Sequence, residues 1–167
     1  MKRIALALSM VLLSGAAFAG SLKDEYAAVN AKILKALAAN DMKAFEKIMR
    51  PMITKDYTYV EMGQKQTFDQ MLANMKMGLS MMKKPIKAMG KILSVKETGN
   101  TGVIMEMQGM SGMMMGEDKK PHKLEYTGQA RMDMVKIKGK WFLKTMTVLK
   151  SSMKMDGKEM PMGGAPK

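Results

Sequence analysis

Methionine is the residue type with the most chemical potential in this sequence. The chain has 25 Met among 167 residues, no Cys and a single His at position 122. Thioether sulfur is a soft, neutral ligand that prefers Cu(I) to hard cations and needs no deprotonation. Two Met separated by one residue point to the same face of a strand and could chelate one ion. Such pairs are Met105/Met107, Met132/Met134, Met153/Met155 and Met160/Met162.

The densest methionine segment lies between residues 110 and 115. Glycines at 109, 112 and 116 predict a flexible loop over 111–120, in which apolar side chains have no core to fill. The candidate Cu(I) ligands are therefore Met110, Met113, Met114, Met115 and, as a mixed ligand, His122. Three other interpretations stay open: Met replacing Leu in an ordinary core, an adaptable hydrophobic binding surface, or a reservoir of oxidisable, repairable thioethers.

A second group of residues could perform acid–base chemistry. An isomerase-like reaction needs a carboxylate base in an apolar cavity and a hydroxyl that stabilises an oxyanion. The candidates are Asp56, Tyr57, Tyr59 and Glu61, of which the last three share one face of a predicted strand. A half-exposed structural strand shows the same pattern. With no Cys and one His, the chain lacks disulfides, thiolate metal centres, cysteine nucleophiles and sites that need two imidazoles.

The first 19 residues predict a secretory signal peptide. Met1-Lys2-Arg3 is positive, Ile4 to Leu13 is apolar, and Ala17-Phe18-Ala19 is a cleavage pattern before Gly20. We expect a periplasmic or secreted protein, cleaved near Ala19–Gly20. No segment approaches the roughly 20 apolar residues of a transmembrane helix.

The net charge of +13 suits an anionic envelope surface. Basic residues are nevertheless scattered and aromatics are few, which argues against a nucleic-acid partner.

The remaining pattern predicts one α+β domain over residues 20–150 and a flexible Met/Gly/Pro-rich tail over 151–167. Apolar residues recur at helical spacing in three segments, after which the period becomes two. The expected helices cover 22–39, 42–49 and a segment that starts after Thr67, includes Met82 and is closed by Lys83, Lys84 and Pro85. The expected strands cover 57–62, 89–97, 101–110, 123–137 and 141–150.

Several local motifs resemble a known family. These are Asp41-x-x-x-Phe45, the segment Asp56-Tyr57-Thr58-Tyr59 that leads through Gly63 to a helix initiated at Thr67, and the closing hairpin Lys138-Gly139-Lys140-Trp141-Phe142-Leu143. Together they resemble the nuclear-transport-factor-2-like superfamily, in particular exported bacterial members related to polyketide cyclases and ketosteroid isomerase.

The resemblance implies N-terminal helices packed on a curved antiparallel sheet that forms a cone-shaped cavity. It also implies small hydrophobic ligands, isomerase or cyclase chemistry, or a bare binding pocket, and a possible homodimer through the sheet. No residue matches the family's catalytic set, and fold does not choose among these functions.

The leading hypothesis is an exported, non-catalytic domain that binds a small ligand or a partner in a Met-rich hydrophobic cavity. One alternative is an isomerase- or cyclase-like enzyme that uses a cavity carboxylate and tyrosines. A second alternative is a periplasmic Cu(I)-binding protein. Apart from Cu(I), no cofactor is expected.

Overall fold

The computed structural model describes residues 21–116 and 118–160. The predicted signal peptide, its cleavage site at Ala19–Gly20 and residues 161–167 of the predicted tail lie outside the described residues. Among the described helices, none combines the length and apolar composition needed to cross a membrane.

The N-terminal half supplies three helices, each started by a side-chain cap. Ser21 accepts a hydrogen bond from the Asp24 N–H, and Thr67 with Gln70 forms a capping box. Asn40, with a φ of 53°, links the first two helices in the left-handed conformation that asparagine tolerates. The helices are α1 (Leu22–Ala38), α2 (Met42–Met49) and α3 (Phe68–Ser80), with a 3₁₀ turn at Arg50–Met52.

The helices pack on one face of a seven-stranded sheet. Its strands are β1 (Ile53–Glu61), β2 (Gln64–Gln66), β3 (Met82–Thr98), β4 (Thr101–Met115), β5 (Pro121–Ile137), β6 (Lys140–Met155) and β7 (Lys158–Met160). The order across the sheet is β2-β1-β6-β5-β4-β3, and β7 also pairs with β6.

The sheet is mixed rather than purely antiparallel, because β1 runs parallel to β6. A helix and four strands separate β1 from β6 in sequence, and a connection of that length permits parallel pairing.

The predicted loop over 111–120 is wrong for its first half, because Ser111–Met115 belong to β4. The glycines there serve packing rather than flexibility. A Cβ on Gly109 would lie 2.8 Å from the Met89 side chain, and one on Gly112 would lie 2.6 Å from the Met82 Cε. Glycine therefore makes room on β4 for methionines of β3.

The predicted tail is also wrong between residues 151 and 160. Ser151–Met155 continue β6 beside β5, and the chain then turns into β7. Asp156 and Gly157 have φ values of 50° and 79°, which fits the two-residue Asp-Gly turn of a tight hairpin.

The core lies between the helices and the sheet. It joins Phe45, Phe68 and Leu79 of the helices to Ile104, Met132 and Leu143 of the sheet. Met42, Met49, Met71 and Met82 are buried at positions where Leu would serve. Substitution of Leu by Met thus explains part of the methionine excess. We call the helix-covered side of the sheet the inner face and the opposite side the outer face.

Candidate functional site

The inner face changes character along β4. Ile104 belongs to the core, Glu106 and Gln108 are polar, and Met110 is half-buried and touches the core edge. Successive inner-face residues of one strand lie two positions apart, or roughly 6.6 Å. Core, polar and methionine side chains therefore follow one another within a few residues. We call these three parts of the inner face the core level (at Ile104), the polar level (at Glu106 and Gln108) and the methionine level (at Met110).

The polar level is built around a buried carboxylate. Glu106 is only 1% exposed. Its Oε2 accepts hydrogen bonds from the Tyr26 hydroxyl at 2.8 Å and the Gln108 amide at 3.0 Å, and its Oε1 accepts one from the Asn30 amide. We call Tyr26, Asn30, Glu106 and Gln108 the polar cluster. Its contacts satisfy the carboxylate without a cation.

Helix α1 and strand β3 hold the polar cluster in place. Tyr26 and Asn30 are four residues apart on α1 and so share one helix face. Gly90 of β3 lies opposite Gln108, and a Cβ there would lie 2.7 Å from Glu106 Oε1 and 2.8 Å from the Asn30 amide nitrogen. At this level side chains fill the space between α1 and the sheet.

A second carboxylate–tyrosine pair lies on the inner face of β1. The Tyr59 hydroxyl donates to Glu61 Oε2 at 2.9 Å, and both residues are half-buried. Burial and then the Glu61 charge raise the pKa of Tyr59 well above its ordinary value. The same two causes raise the pKa of Tyr126 to about 12. Both tyrosines are therefore neutral O–H groups near neutral pH.

The structure separates the four predicted catalytic residues. Tyr59 and Glu61 stay together, but Tyr57 is buried in the core with its hydroxyl 3.8 Å from the Met71 sulfur. Asp56 lies on the outer face, where its carboxylate is 3.8 Å from the Lys144 ammonium. Only Tyr59 and Glu61 thus remain placed to meet a molecule bound on the inner face.

Beyond the polar level, apolar side chains align across four strands. Met110 pairs with Tyr126, Tyr126 with Met153, and Met153 with Met160. Directly opposite residues share a face, and each of these four is half-buried. We call Met110, Tyr126, Met153 and Met160 the methionine row.

The Tyr126 side chain leans along β5 over Gly128. A Cβ on Gly128 would lie 2.6 Å from the Tyr126 hydroxyl oxygen. The hydroxyl is thus directed away from the methionine row and toward the polar level.

The predicted metal ligands at 110–115 divide between the two faces. Met110 and Met114 are on the inner face, whereas Met113 and Met115 alternate onto the outer face. The four sulfurs therefore do not form the single chelating loop that the glycines had suggested.

His122 pairs with Met114 across β4 and β5, but both of its ring nitrogens face carboxylates. Nδ1 is 2.6 Å from Asp156 and Nε2 is 2.9 Å from Asp118. Hydrogen bonds with Asp156 and Asp118 raise the pKa of His122. We call this arrangement the histidine bridge; it connects the turn after β4 with the turn before β7.

Two surface depressions lie away from the polar cluster. One, of about 680 Å³, is lined by outer-face residues such as Asp56, Phe142 and Lys144. The other, of about 360 Å³, is a notch near Gly63 and residues 148–151. Along β6, pairing with β1 extends to Thr147 and pairing with β7 starts at Met153, so this notch lies between two strands on one edge of β6.

Sequence reasoning missed the polar cluster. Glu106 alternates with Ile104 and Gln108 in a segment whose other residues are almost all apolar or glycine. Asn30 interrupts the apolar face of α1 four residues after Tyr26. A polar residue inside each of two apolar faces was the available signal, because such residues need partners when buried.

No protein-family model matches the chain, and no curated protein matches it. Several solved structures do match the chain. A candidate scytalone dehydratase from Novosphingobium aromaticivorans is 12% identical with a TM-score of 0.59, and the match covers 86% of this chain and 95% of that one.

A conserved protein from Planctomyces limnophilus is 15% identical with a TM-score of 0.58, covering 75% and 94% of the two chains. A nuclear-transport-factor-2-like protein of unknown function from Shewanella oneidensis is 12% identical with a TM-score of 0.54, covering 75% and 97%. At these identities the likeness concerns the fold alone: the chain has the nuclear-transport-factor-2-like α+β fold.

Proposed function

We propose that this protein is a non-catalytic binding domain that holds a small, largely apolar ligand against the methionine row. The observation that carries the proposal is the alignment of four half-buried apolar side chains across β4, β5, β6 and β7. Three of them are methionines, whose flexible thioethers adapt to ligands of different shape.

The neighbouring polar groups define one end of the ligand. Tyr59 and Tyr126 carry hydroxyl groups that stay protonated near neutral pH, and Gln108 is half-buried beside them on the inner face. An otherwise apolar molecule with one carbonyl or hydroxyl oxygen suits this combination, because a few placed polar groups orient ligands in apolar sites.

Glu106 is not placed to act as the base of an enzyme. A general base must reach its substrate, whereas Glu106 is buried and accepts three hydrogen bonds from the protein itself. This arrangement supports a structural role for Glu106 in holding α1 against the sheet.

Binding can be tested with the neutral fluorescent dye Nile red. Met153→Lys places a charge in the methionine row and should weaken dye binding about tenfold or more. The matched control is Met107→Lys on the outer face, which should leave the Kd unchanged within about twofold. Equal weakening in both variants, or absence of dye binding to the wild-type protein, would contradict the proposal.

An isomerase-like enzyme is the second candidate, favoured by the half-buried Tyr59–Glu61 pair and by the fold shared with the candidate scytalone dehydratase. In that role Glu61 removes a proton from the α-carbon of a ketone, a tyrosine hydroxyl stabilises the resulting dienolate, and Glu61 returns the proton to the γ-carbon. The test is conversion of a β,γ-unsaturated ketone to its conjugated isomer, followed by ultraviolet absorbance. Turnover that Glu61→Gln abolishes would favour the enzyme over the binding domain.

A further inference from the structure

The hairpin of β6 and β7 brings together methionines that lie in separate sequence motifs. Met153 and Met160 are directly opposite each other, and Met155 follows Met153 on the same face of β6. Opposite residues have Cβ atoms about 4.5–5.5 Å apart, and diagonal neighbours about 7–8 Å. Met has three rotatable side-chain bonds, so these three sulfurs can converge on one point. We call Met153, Met155 and Met160 the methionine triad.

Core packing explains the methionine triad less well than it explains the other methionines. Met132 and Met134 of β5 are buried members of the core. Met110 and Met146 are partly buried but pack against that core. The triad residues are half-buried and are not part of this cluster. Their thioethers lie at the accessible end of the inner face.

Charges near the triad favour a soft monovalent ion. Lys158 lies opposite Met155 and so adds a positive charge on the same face. The nearby carboxylates of Asp118 and Asp156 are bound to His122. Within residues 21–116 and 118–160, no group of three or more His, Asp or Glu side chains could hold a metal ion. Neutral thioethers match Cu(I), which needs soft ligands and carries only one charge.

Two features outside the triad determine its geometry. The histidine bridge fixes Asp156 in the turn between β6 and β7, where the Asp156 carboxylate also accepts a hydrogen bond from the Lys123 N–H at 2.8 Å. On the outer face, Glu159 accepts a hydrogen bond from Ser152 at 2.9 Å and pairs with Lys154 at 3.3 Å. These contacts hold the register that places Met160 opposite Met153.

We propose that the methionine triad is a Cu(I)-binding site. It replaces the loop site expected at 110–115, whose methionines alternate between the two faces. The Cu(I) proposal does not depend on the apolar ligand, because Cu(I) binding requires the thioether sulfurs themselves. Replacing Met with Leu removes the sulfur and keeps the apolar volume.

The test is an anaerobic titration of the full chain, cleaved at the predicted signal site, with Cu(I) against a chromophoric competing chelator. Wild-type protein should bind one Cu(I) with a Kd tighter than about 1 μM. The triple variant Met153→Leu, Met155→Leu and Met160→Leu should bind at least about tenfold more weakly. The matched control replaces Met105, Met107 and Met113 of the outer face with Leu and should bind as the wild type does.

Three outcomes would overturn the proposal: wild-type binding weaker than micromolar, equal weakening in the control, or an unchanged triple variant. X-ray absorption should show only sulfur ligands, and a nitrogen ligand from His122 would contradict the triad. Nile red binding separates the two proposals. The single variant Met155→Leu, which lies outside the methionine row, should keep the wild-type Kd for the dye while binding Cu(I) more weakly. Absence of dye binding to the wild-type protein would contradict the apolar-ligand proposal alone.

Discussion

The polar cluster around Glu106 and the methionine row lie four residues apart on β4 and share the inner face. In the polar cluster, helix α1 covers the sheet and the Glu106 carboxylate accepts hydrogen bonds from Tyr26, Asn30 and Gln108. In the methionine row, four half-buried side chains align across β4, β5, β6 and β7 through strand pairing. The comparison shows that polar residues alone do not mark a binding site: the contacts of the Glu106 carboxylate support a structural role, and the binding surface that we propose is the apolar row.

Removing the buried carboxylate should have the largest effect on stability. Glu106→Ala leaves the Tyr26, Asn30 and Gln108 donors without their acceptor and creates a cavity, so we expect the free energy of unfolding to fall by about 3 kcal/mol. Urea denaturation measures this change. The control Glu125→Ala, in an exposed pair with Lys123, should cost about 0.5 kcal/mol. A loss below about 1 kcal/mol for Glu106→Ala would show that the cluster is not structural.

Crowding the polar cluster should have an intermediate effect. Gly90→Ala directs a methyl group at Glu106 and Asn30, and the expected destabilisation is about 1–3 kcal/mol. Gly78 of α3 has open space around its Cβ position. Gly78→Ala should therefore stabilise the protein by about 0.5–1 kcal/mol through helix propensity. The two variants should shift the melting temperature in opposite directions, and a shared direction would contradict the packing described for Gly90.

The histidine bridge should make the end of the sheet that carries the methionine row sensitive to pH. Hydrogen bonds raise the pKa of His122 and lower those of Asp118 and Asp156. The bridge is complete when His122 is charged and both carboxylates are ionised. Its contribution is fully present below the ordinary His pKa of about 6.5 and is lost as pH rises through the raised value. At the acid end it is lost as pH falls through the lowered pKa values of the two Asp residues.

Hydrogen-exchange protection of the Lys123 and Met160 amides measures this effect. Protection should fall as pH rises from the ordinary His pKa of about 6.5 through the raised pKa of His122, while the Glu106 amide keeps its protection. In His122→Asn the same amides should show no such dependence. A wild-type protein whose β7 amides stay equally protected over that range would exclude the switch.

The smallest effect should come from the methionine triad. Replacing Met153, Met155 and Met160 with Leu should change the free energy of unfolding by less than about 0.5 kcal/mol, because half-exposed side chains contribute little packing. Met132→Leu in the core should cost about 1 kcal/mol, since rotamers there are constrained on all sides. A larger loss in the triad than at Met132 would mean that these methionines are core residues.

Periodicity predicted most of the fold. The expected helices over 22–39 and 42–49, the helix initiated at Thr67 and the strand over 123–137 follow from local rules, and the structure confirms them. Trp141 of the closing hairpin is buried in the core.

The errors in the sequence-based predictions arose at glycine positions and at contacts between residues that are far apart in sequence. Gly109 and Gly112 suggested a loop because the methionines that fill their space belong to β3, which local sequence does not reveal. Asp156-Gly157 was a readable hairpin signal inside a polar segment. The partners of Glu106 lie 76 and 80 residues away on α1, and no sequence spacing connects them. Local rules thus find elements, but they do not find the site that the elements build.

The parallel pair of β1 and β6 has a consequence for how the chain reaches this structure. Strands β3 to β6 are joined by short turns and need only neighbouring segments to pair, which forms quickly. Ile53 meets Leu143 only after a loop of about 90 residues closes. We therefore expect the four-strand meander to form first and β1, with the helices around it, to dock last. Until that step, the apolar inner face of the meander is exposed to aggregation.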